Sequence, residues 1–159
     1  KFDIATPNEV HQADLLFLPH DRVGKRTYKY ALTVIYVASG YKESEPLATK
    51  EAKEVAEGLS RIYRRGPLTW LKLLKVDPGR EFMGSVSQLL AKHSVQVRCD
   101  RVDIHWDQGI VERFNRTLAE RLFGYQYAQE MVQPAGHRST EWVKRLPAVV
   151  AALNGEATH

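Results

Sequence analysis

Three acidic residues far apart in the chain are the candidates for chemistry. Asp14 interrupts the apolar run ADLLFL, Asp77 follows the run LLKV, and Glu112 lies in QGIVE. An unpaired carboxylate buried in a strand is costly, so Asp14 is unexpected in this run unless it has a functional role. Three carboxylates that converge repel one another and favour a cation between them. Because oxygen ligands without cysteines or clustered histidines suit Mg²⁺ or Mn²⁺, these residues indicate a divalent-metal site.

Each of the three acids also has an ordinary structural interpretation. Asp14 is equally explained as an exposed strand residue. Asp77 precedes Pro78-Gly79, a composition typical of turns. Glu112 is explained as a first-turn acid that the helix dipole favours. The choice therefore depends on the elements that position these residues.

Composition limits the class of protein. The chain has 159 residues, 43% of them hydrophobic, which predicts one domain with its own core. A net charge of +4 allows a polyanionic partner without requiring one. The single cysteine, Cys99, excludes an internal disulfide and a cysteine-rich zinc site, and it fits a reducing compartment. No segment resembles a signal peptide or a membrane span. Because the chain begins at Lys1, we expect a fragment of a longer protein.

The hydrophobic pattern predicts the elements that position the acids. Strands are predicted over 13–18, 30–37, 41–48, 71–76 and 95–98. One helix follows a cap at Thr49, and others are predicted near 86–93, 109–122 and 142–153. Hairpin strands followed by alternating strands and helices imply an α/β fold, a mixed five-stranded sheet with helices on both faces. Sites in such sheets form where strand ends and helix starts converge, which directs attention to Asp14 and Asp77.

The same segments resemble the catalytic core of retroviral and retrotransposon integrases, the DDE family. VDPGREF resembles the family's aspartate-glycine-acid-phenylalanine motif, and QGIVERFNRTL resembles its Gln-Gly-Val-Val-Glu stretch with the Asn-Arg that follows. HQADLLFLP resembles the first strand, and YALTVIYVASGYKESEPLATKEAKEVAEGL resembles the second and third strands with the first helix. The resemblance runs in order over residues 8–154. Within the family, the sequence most resembles integrases of the Maverick/Polinton transposons or cellular genes derived from them.

The resemblance implies an RNase H-like fold and a metal-dependent polynucleotidyl transferase, a DNA integrase and nuclease that processes DNA 3′ ends and joins them to target DNA. Asp14, Asp77 and Glu112 match the family's two aspartates and glutamate, which bind two Mg²⁺ or Mn²⁺ ions about 3.5–4 Å apart. In the family, one ion activates the attacking oxygen and the other stabilises the leaving oxygen. The expected partners are donor DNA ends, a target duplex and further copies of the chain, as a homodimer or higher homo-oligomer, with no membrane. The expected location is intracellular, in the nucleus when the protein acts on chromosomal DNA.

Residues around the glutamate match the family's DNA-contacting positions. Gln108 and Gly109 match the flexible loop that meets the DNA ends, and Asn115 and Arg116 match the polar positions one helical turn after the glutamate. Arg116 is suited to hold a DNA phosphate, with Arg113 as a weaker candidate. The alternative for both arginines is a solvated helix face, since many surface charges contribute nothing measurable.

Departures from the family pattern keep a second function open. The interval from Asp77 to Glu112 is one residue shorter than is common in the family, and Ala119 stands where many relatives have lysine. We expect residues 1–159 to be a single catalytic core domain, without the family's zinc-binding amino-terminal module and its carboxy-terminal DNA-binding module. The alternative is a domesticated, catalytically inactive integrase-like domain that binds nucleic acid or protein. A different RNase H-like nuclease would explain the acids but not the QGIVE stretch.

Overall fold

A computed structural model describes residues 7–76, 82–99, 109–124 and 141–156. The strands are β1 (Val10–Val23), β2 (Arg26–Tyr36), β3 (Lys42–Leu47), β4 (Leu73–Val76) and β5 (Gln96–Cys99). The helices are α1 (Ala52–Arg65), α2 (Ser85–Lys92), α3 (Ile110–Phe123) and α4 (Leu146–Gly155), and a 3-10 turn (Pro7–Glu9) precedes β1. Within these ranges, no helix combines the length and the apolar character that crossing a membrane requires.

The strands form one mixed sheet in the order β3-β2-β1-β4-β5. β1, β2 and β3 pair in antiparallel fashion, whereas β4 is parallel to both β1 and β5. Apolar residues of α1 and α2 pack with one face of the sheet, and those of α3 and α4 pack with the other. The predicted α/β fold with a mixed five-stranded sheet and helices on both faces is therefore confirmed.

The first hairpin is longer than the hydrophobic pattern predicts. Pro19 is expected to end the first strand, yet β1 continues to Val23, and the register with β2 shifts between Phe17 and Asp21. Because proline has no N–H to donate, it is accommodated where the ladder is irregular. The turn consists of Gly24-Lys25, with Gly24 at φ 64°, a left-handed conformation that glycine adopts without a steric penalty.

The start of α1 differs from the predicted cap at Thr49. The residue before the helix is Glu51, and its side chain makes no capping hydrogen bond. The Thr49 hydroxyl donates instead to Oε1 of Glu54 at 2.9 Å, and the N–H of Ala48 donates to Oε2 of Glu54 at 2.6 Å. The prediction of Thr49 as the cap is wrong because an acid inside the first turn reaches back and binds the chain that leads into the helix.

The segment that leads into α4 is anchored on the β1 irregularity. Oδ2 of the buried Asp21 accepts hydrogen bonds from the N–H groups of Trp142 and Val143, both at 2.8 Å. Nε1 of Trp142 donates to the carbonyl oxygen of Pro19 at 2.7 Å. The spacing of Trp142 and Leu146 predicts that they face the protein's own core, and Trp142 is fully buried. The sequence predicts that Pro147 interrupts the last helix, but Pro147 lies in the first turn of α4, where its missing N–H costs least.

A buried histidine lies in the core beneath α1. His11 is 2% exposed, and its Nδ1 lies 2.6 Å from the Tyr63 hydroxyl oxygen. The ring of His11 stacks on Tyr63 and meets Tyr36 edge-on. Burial lowers the pKa of His11 from 6.5 to about 4 and raises the pKa of Tyr63. His11 is therefore a neutral core residue at physiological pH.

We expect the free energy of unfolding to fall as pH decreases from 6.5 to about 4. In this window the unfolded state binds a proton at His11 that the folded state does not, so acid favours unfolding. The full effect is about 3 kcal/mol, at about 1.4 kcal/mol for each pKa unit. His11→Asn keeps a polar group near the Tyr63 hydroxyl and cannot be protonated, so urea titrations between pH 4 and 7 should show a flatter pH dependence than in the wild type. Equal slopes would contradict the prediction.

Candidate active site

Asp14 lies at the seam between the sheet and α3. It is opposite Thr33 in the β1–β2 register and is half-buried. Its Oδ1 accepts a hydrogen bond from the N–H of Leu15 at 2.8 Å, and its Oδ2 accepts one from Nδ2 of Asn115 at 3.0 Å. Ala13 belongs to the core beneath α1, so strand alternation directs Asp14 to the opposite face, toward α3. The carboxylate is thus held by α3 rather than simply exposed to solvent.

Two contacts align the start of α3 along β1. Oε1 of the buried Gln12 accepts a hydrogen bond from the N–H of Val111 at 3.1 Å, a group at the helix start that has no partner within the helix. Asn115 and Asp14 make the second contact. Two residues of a strand span roughly 6.6 Å and four residues of a helix roughly 6 Å, so the two contacts match in length. A strand side chain therefore completes the helix terminus and fixes α3 relative to Asp14.

Glu112 lies in the first turn of α3 and is exposed. It precedes Asn115 by three residues, and such residues are neighbours on a helix surface. Gly109 immediately precedes the helix, as expected, and a Cβ atom there would lie 3.9 Å from Oε1 of Glu112 and 3.5 Å from Nη1 of Arg113. The structure thus joins Asp14 to Asn115 directly and has Glu112 one helical turn from that contact.

The other predicted site residues fall into separate groups. Arg113 and Arg116 are exposed on α3. Asn115 is 9% exposed, and its amide is bonded to Asp14 and Thr33 rather than directed to solvent; a DNA contact by any of these three stays a prediction. Asp77 and Gln108 lie outside the described residues. In the ranges that the structure describes, no three histidine, cysteine, aspartate or glutamate side chains are close enough to hold a metal ion.

Two residues of this site, Gln12 and Thr33, have no predicted role from the sequence. Gln12 lies on the same face of β1 as Asp14, and this alternation of polar residues in an otherwise apolar strand is a signal that could have identified it. Thr33 is fully buried within YALTVIYV, where a threonine is ordinary for a strand. Its position opposite Asp14 depends on the hairpin register, which the sequence pattern does not specify.

Transposon proteins of two animals are similar to the chain in sequence. A transposon-derived protein of Caenorhabditis elegans is 39% identical over 109 residues, which are 68% of this chain and 34% of that protein. The retrovirus-related Pol polyprotein from transposon 412 of Drosophila melanogaster is 33% identical over 100 residues, which are 61% of this chain and 8% of that protein. The chain thus spans about a third or less of the length of these relatives. No protein-family model matches it.

Solved structures of viral integrases share the fold. The catalytic core domain of BIV integrase superposes with a TM-score of 0.68 at 19% identity, over 96% of this chain and 87% of that one. The HTLV-2 integrase catalytic core domain, in complex with magnesium and in a dimeric form, gives 0.65 at 15% identity over 96% and 90% of the two chains. A chain of a simian T-cell lymphotropic virus intasome gives 0.68 at 14% identity, with 96% and 50% covered.

These structures define the class of fold. The chain has the RNase H-like fold of retroviral integrase catalytic cores, and the predicted resemblance to such cores is confirmed. In sequence, the chain is similar to a transposon-derived protein and to a retrovirus-related polyprotein of a transposon. The Maverick/Polinton subgroup stays a prediction.

Proposed function

We propose that this chain is the catalytic core of a transposon-type DNA integrase, a polynucleotidyl transferase that processes DNA 3′ ends and joins them to a target duplex. Asp14, Asp77 and Glu112 are its catalytic carboxylates. The integrase fold and the similarity to a Pol polyprotein support this reaction class.

The hydrogen bond between Asp14 and Asn115 carries the proposal. It joins β1 to α3, and Glu112 lies one helical turn before Asn115 on that helix. The parallel pairing of β1 with β4 supports the third acid, because Val76, paired with Ala13, is followed directly in the chain by Asp77. Ala13 and Val76 are neighbours on adjacent parallel strands, and Asp14 and Asp77 are the residues that come directly after them.

The donor set fits a hard divalent cation. All three proposed ligands are carboxylates, and Mg²⁺ and Mn²⁺ prefer oxygen ligands. The magnesium in the HTLV-2 core supports this choice for a relative of the same fold. Two bound ions would polarise the scissile phosphate and lower the pKa of the attacking hydroxyl or water.

The chain's own groups hold and orient these ligands. The Leu15 N–H and the Asn115 amide fix the plane of the Asp14 carboxylate through its two oxygens. Gln12 fixes the start of α3 through the Val111 N–H, and with it the turn that bears Glu112. We assign phosphate contacts to Arg116 and Arg113, and contacts with DNA ends to Gln108 and Gly109. Asn115 matches a DNA-contacting position of the family, but its amide is bonded to Asp14 and Thr33, so we assign it to holding Asp14.

The proposed partners follow from the reaction. They are donor DNA ends, a target duplex and further copies of the chain in a homodimer or larger homo-oligomer. The dimeric HTLV-2 core and the viral intasome support the assembly. Residues 1–159 act as one catalytic core domain, in the nucleus when the target is chromosomal.

Reversal of joining on a branched DNA tests the proposal. We expect the chain with Mn²⁺ to resolve a DNA that mimics the joined product, because this substrate already carries the donor strand joined to the target at one point. Gel analysis should show the released strands with the wild type and none with Asp77→Asn, while circular dichroism shows both proteins folded. Equal activity in Asp77→Asn would contradict the assignment.

Metal binding provides a measurement that needs no DNA. Mn²⁺ should raise the Tm of the wild type, because a ligand that binds only the folded state stabilises it by mass action. The double variant Asp14→Asn/Asp77→Asn should lose this increase. An equal shift in both proteins would mean that the ions bind elsewhere.

A further inference from the structure

The side chains of Thr33, Asn115 and Asp14 form a hydrogen-bonded chain from β2 through α3 to β1. Oγ1 of Thr33 donates to Oδ1 of Asn115 at 2.7 Å, and Nδ2 of Asn115 donates to Oδ2 of Asp14 at 3.0 Å. Thr33 is 0% exposed and Asn115 is 9% exposed. The chain therefore begins in the core and ends at a carboxylate that we assign to catalysis.

The donors and acceptors set one orientation of the Asn115 amide. A threonine hydroxyl has a single proton, and of its two acceptors Oδ1 of Asn115 is closer than the backbone oxygen of Asp14, at 2.7 Å against 3.2 Å. With Oδ1 toward Thr33, the NH₂ group must be directed to Asp14. Removing the hydroxyl would leave Oδ1 buried without this donor, and the unsatisfied acceptor favours rotation of the amide away from Asp14.

We propose that Thr33 is a positioning residue for the active site. Its hydroxyl fixes the Asn115 amide, and the amide holds the Asp14 carboxylate in the orientation from which it binds a divalent cation. Only this last step rests on the proposed function. Thr33 itself touches neither metal nor DNA, and it acts by removing rotational freedom from a ligand that must be preorganised.

Manganese affinity of matched variants tests the inference. Thr33→Val keeps the shape and removes the hydroxyl, so the Asn115 amide is free to rotate away from Asp14. Because losing a hydrogen-bond partner of a metal ligand typically weakens metal binding roughly 10–100-fold, the variant should weaken Mn²⁺ binding in a calorimetric titration without DNA by about tenfold, the lower end of that range. Thr33→Ser keeps a hydroxyl and should bind as the wild type does. The control is Thr27→Val, at a half-buried residue six positions before Thr33 on the same strand and opposite Arg22 in the register. Thr27 takes part in neither the Thr33–Asn115 nor the Asn115–Asp14 contact, so this substitution should also leave the affinity unchanged.

A double-mutant cycle separates positioning from a general structural effect. If Thr33 acts through Asn115, Thr33→Val should have no further effect on Mn²⁺ affinity in an Asn115→Ala background. An undiminished tenfold loss in that background would overturn the inference, as would wild-type affinity in Thr33→Val itself. If Thr33→Val does not fold, Thr33→Cys takes its place, and its weak thiol donor should give an intermediate loss of Mn²⁺ affinity. Wild-type affinity in both single variants, Thr33→Cys and Asn115→Ala, would overturn the inference.

A metal-free measurement separates this inference from the proposed function. In NMR spectra of the metal-free protein, the side-chain amide protons of Asn115 should exchange slowly with water in the wild type and faster in Thr33→Val, with no change in Thr27→Val. Unchanged exchange in Thr33→Val would overturn the inference, whatever the metal data. Absence of Asp14-dependent Mn²⁺ binding in the wild type would instead contradict the proposed function.

Discussion

Glu112→Gln is expected to lower the rate of Mn²⁺-dependent reversal of joining by about 1,000-fold or more while the fold stays intact. The amide lacks the negative charge with which the carboxylate attracts a divalent cation. Metal ions contribute several kcal/mol to stabilising charge in such transition states, and each 1.4 kcal/mol lost is about tenfold in rate. Because Glu112 is exposed, its replacement should cost less than about 1 kcal/mol of stability, mainly through the helix dipole.

Glu120→Gln is the matched control for this variant. Glu120 lies two turns later on the same helix, so the substitution makes the same chemical change away from the Asp14–Asn115 contact. Single-turnover rates on the branched DNA should be near wild type for Glu120→Gln. A Glu112→Gln rate within tenfold of wild type would remove Glu112 from the catalytic set. A folded wild type that binds DNA without Mn²⁺-dependent activity would favour the inactive, domesticated alternative.

Trp142→Ala is expected to lower the free energy of unfolding by about 3–5 kcal/mol, the usual cost of truncating a large buried aromatic side chain. Trp142 is 0% exposed and packs in a cluster with Phe114 and Leu118 of α3. The substitution also removes the hydrogen bond from Nε1 to the carbonyl oxygen of Pro19. Since domains are stable by only about 5–15 kcal/mol, the loss is a large fraction of the total.

Two further variants separate the contributions at Trp142. Trp142→Phe keeps much of the apolar volume and loses the Nε1–H donor, so it should cost less than Trp142→Ala in urea titrations. Lys144→Ala changes an exposed residue two positions later and should stay within about 0.5 kcal/mol of wild type. If Trp142→Ala were as mild as Lys144→Ala, residues 141–156 would not be part of the cooperative fold.

The hydrophobic pattern predicted the sheet and its helices because core packing dominates those elements. β2 and β3, α3 after Gly109 and the burial of Trp142 all follow from apolar periodicity. Boundaries set by individual polar groups were not predictable in this way. Pro19 lies inside β1 because the ladder is irregular there, and the start of α1 depends on Glu54 reaching back to Thr49.

For the candidate site, the sequence by itself determined which residue types are available: Asp14 in an apolar strand, Asp77 after another, and Glu112 at a helix start. Only the tertiary structure decided which side chains meet. Asn115 contacts Asp14 because Gln12 and Val111 fix the position of α3, and Thr33 reaches Asn115 because the hairpin register sets it opposite Asp14. These contacts join residues far apart in the chain, and their geometry arises from the packing of strand against helix, which no local pattern encodes.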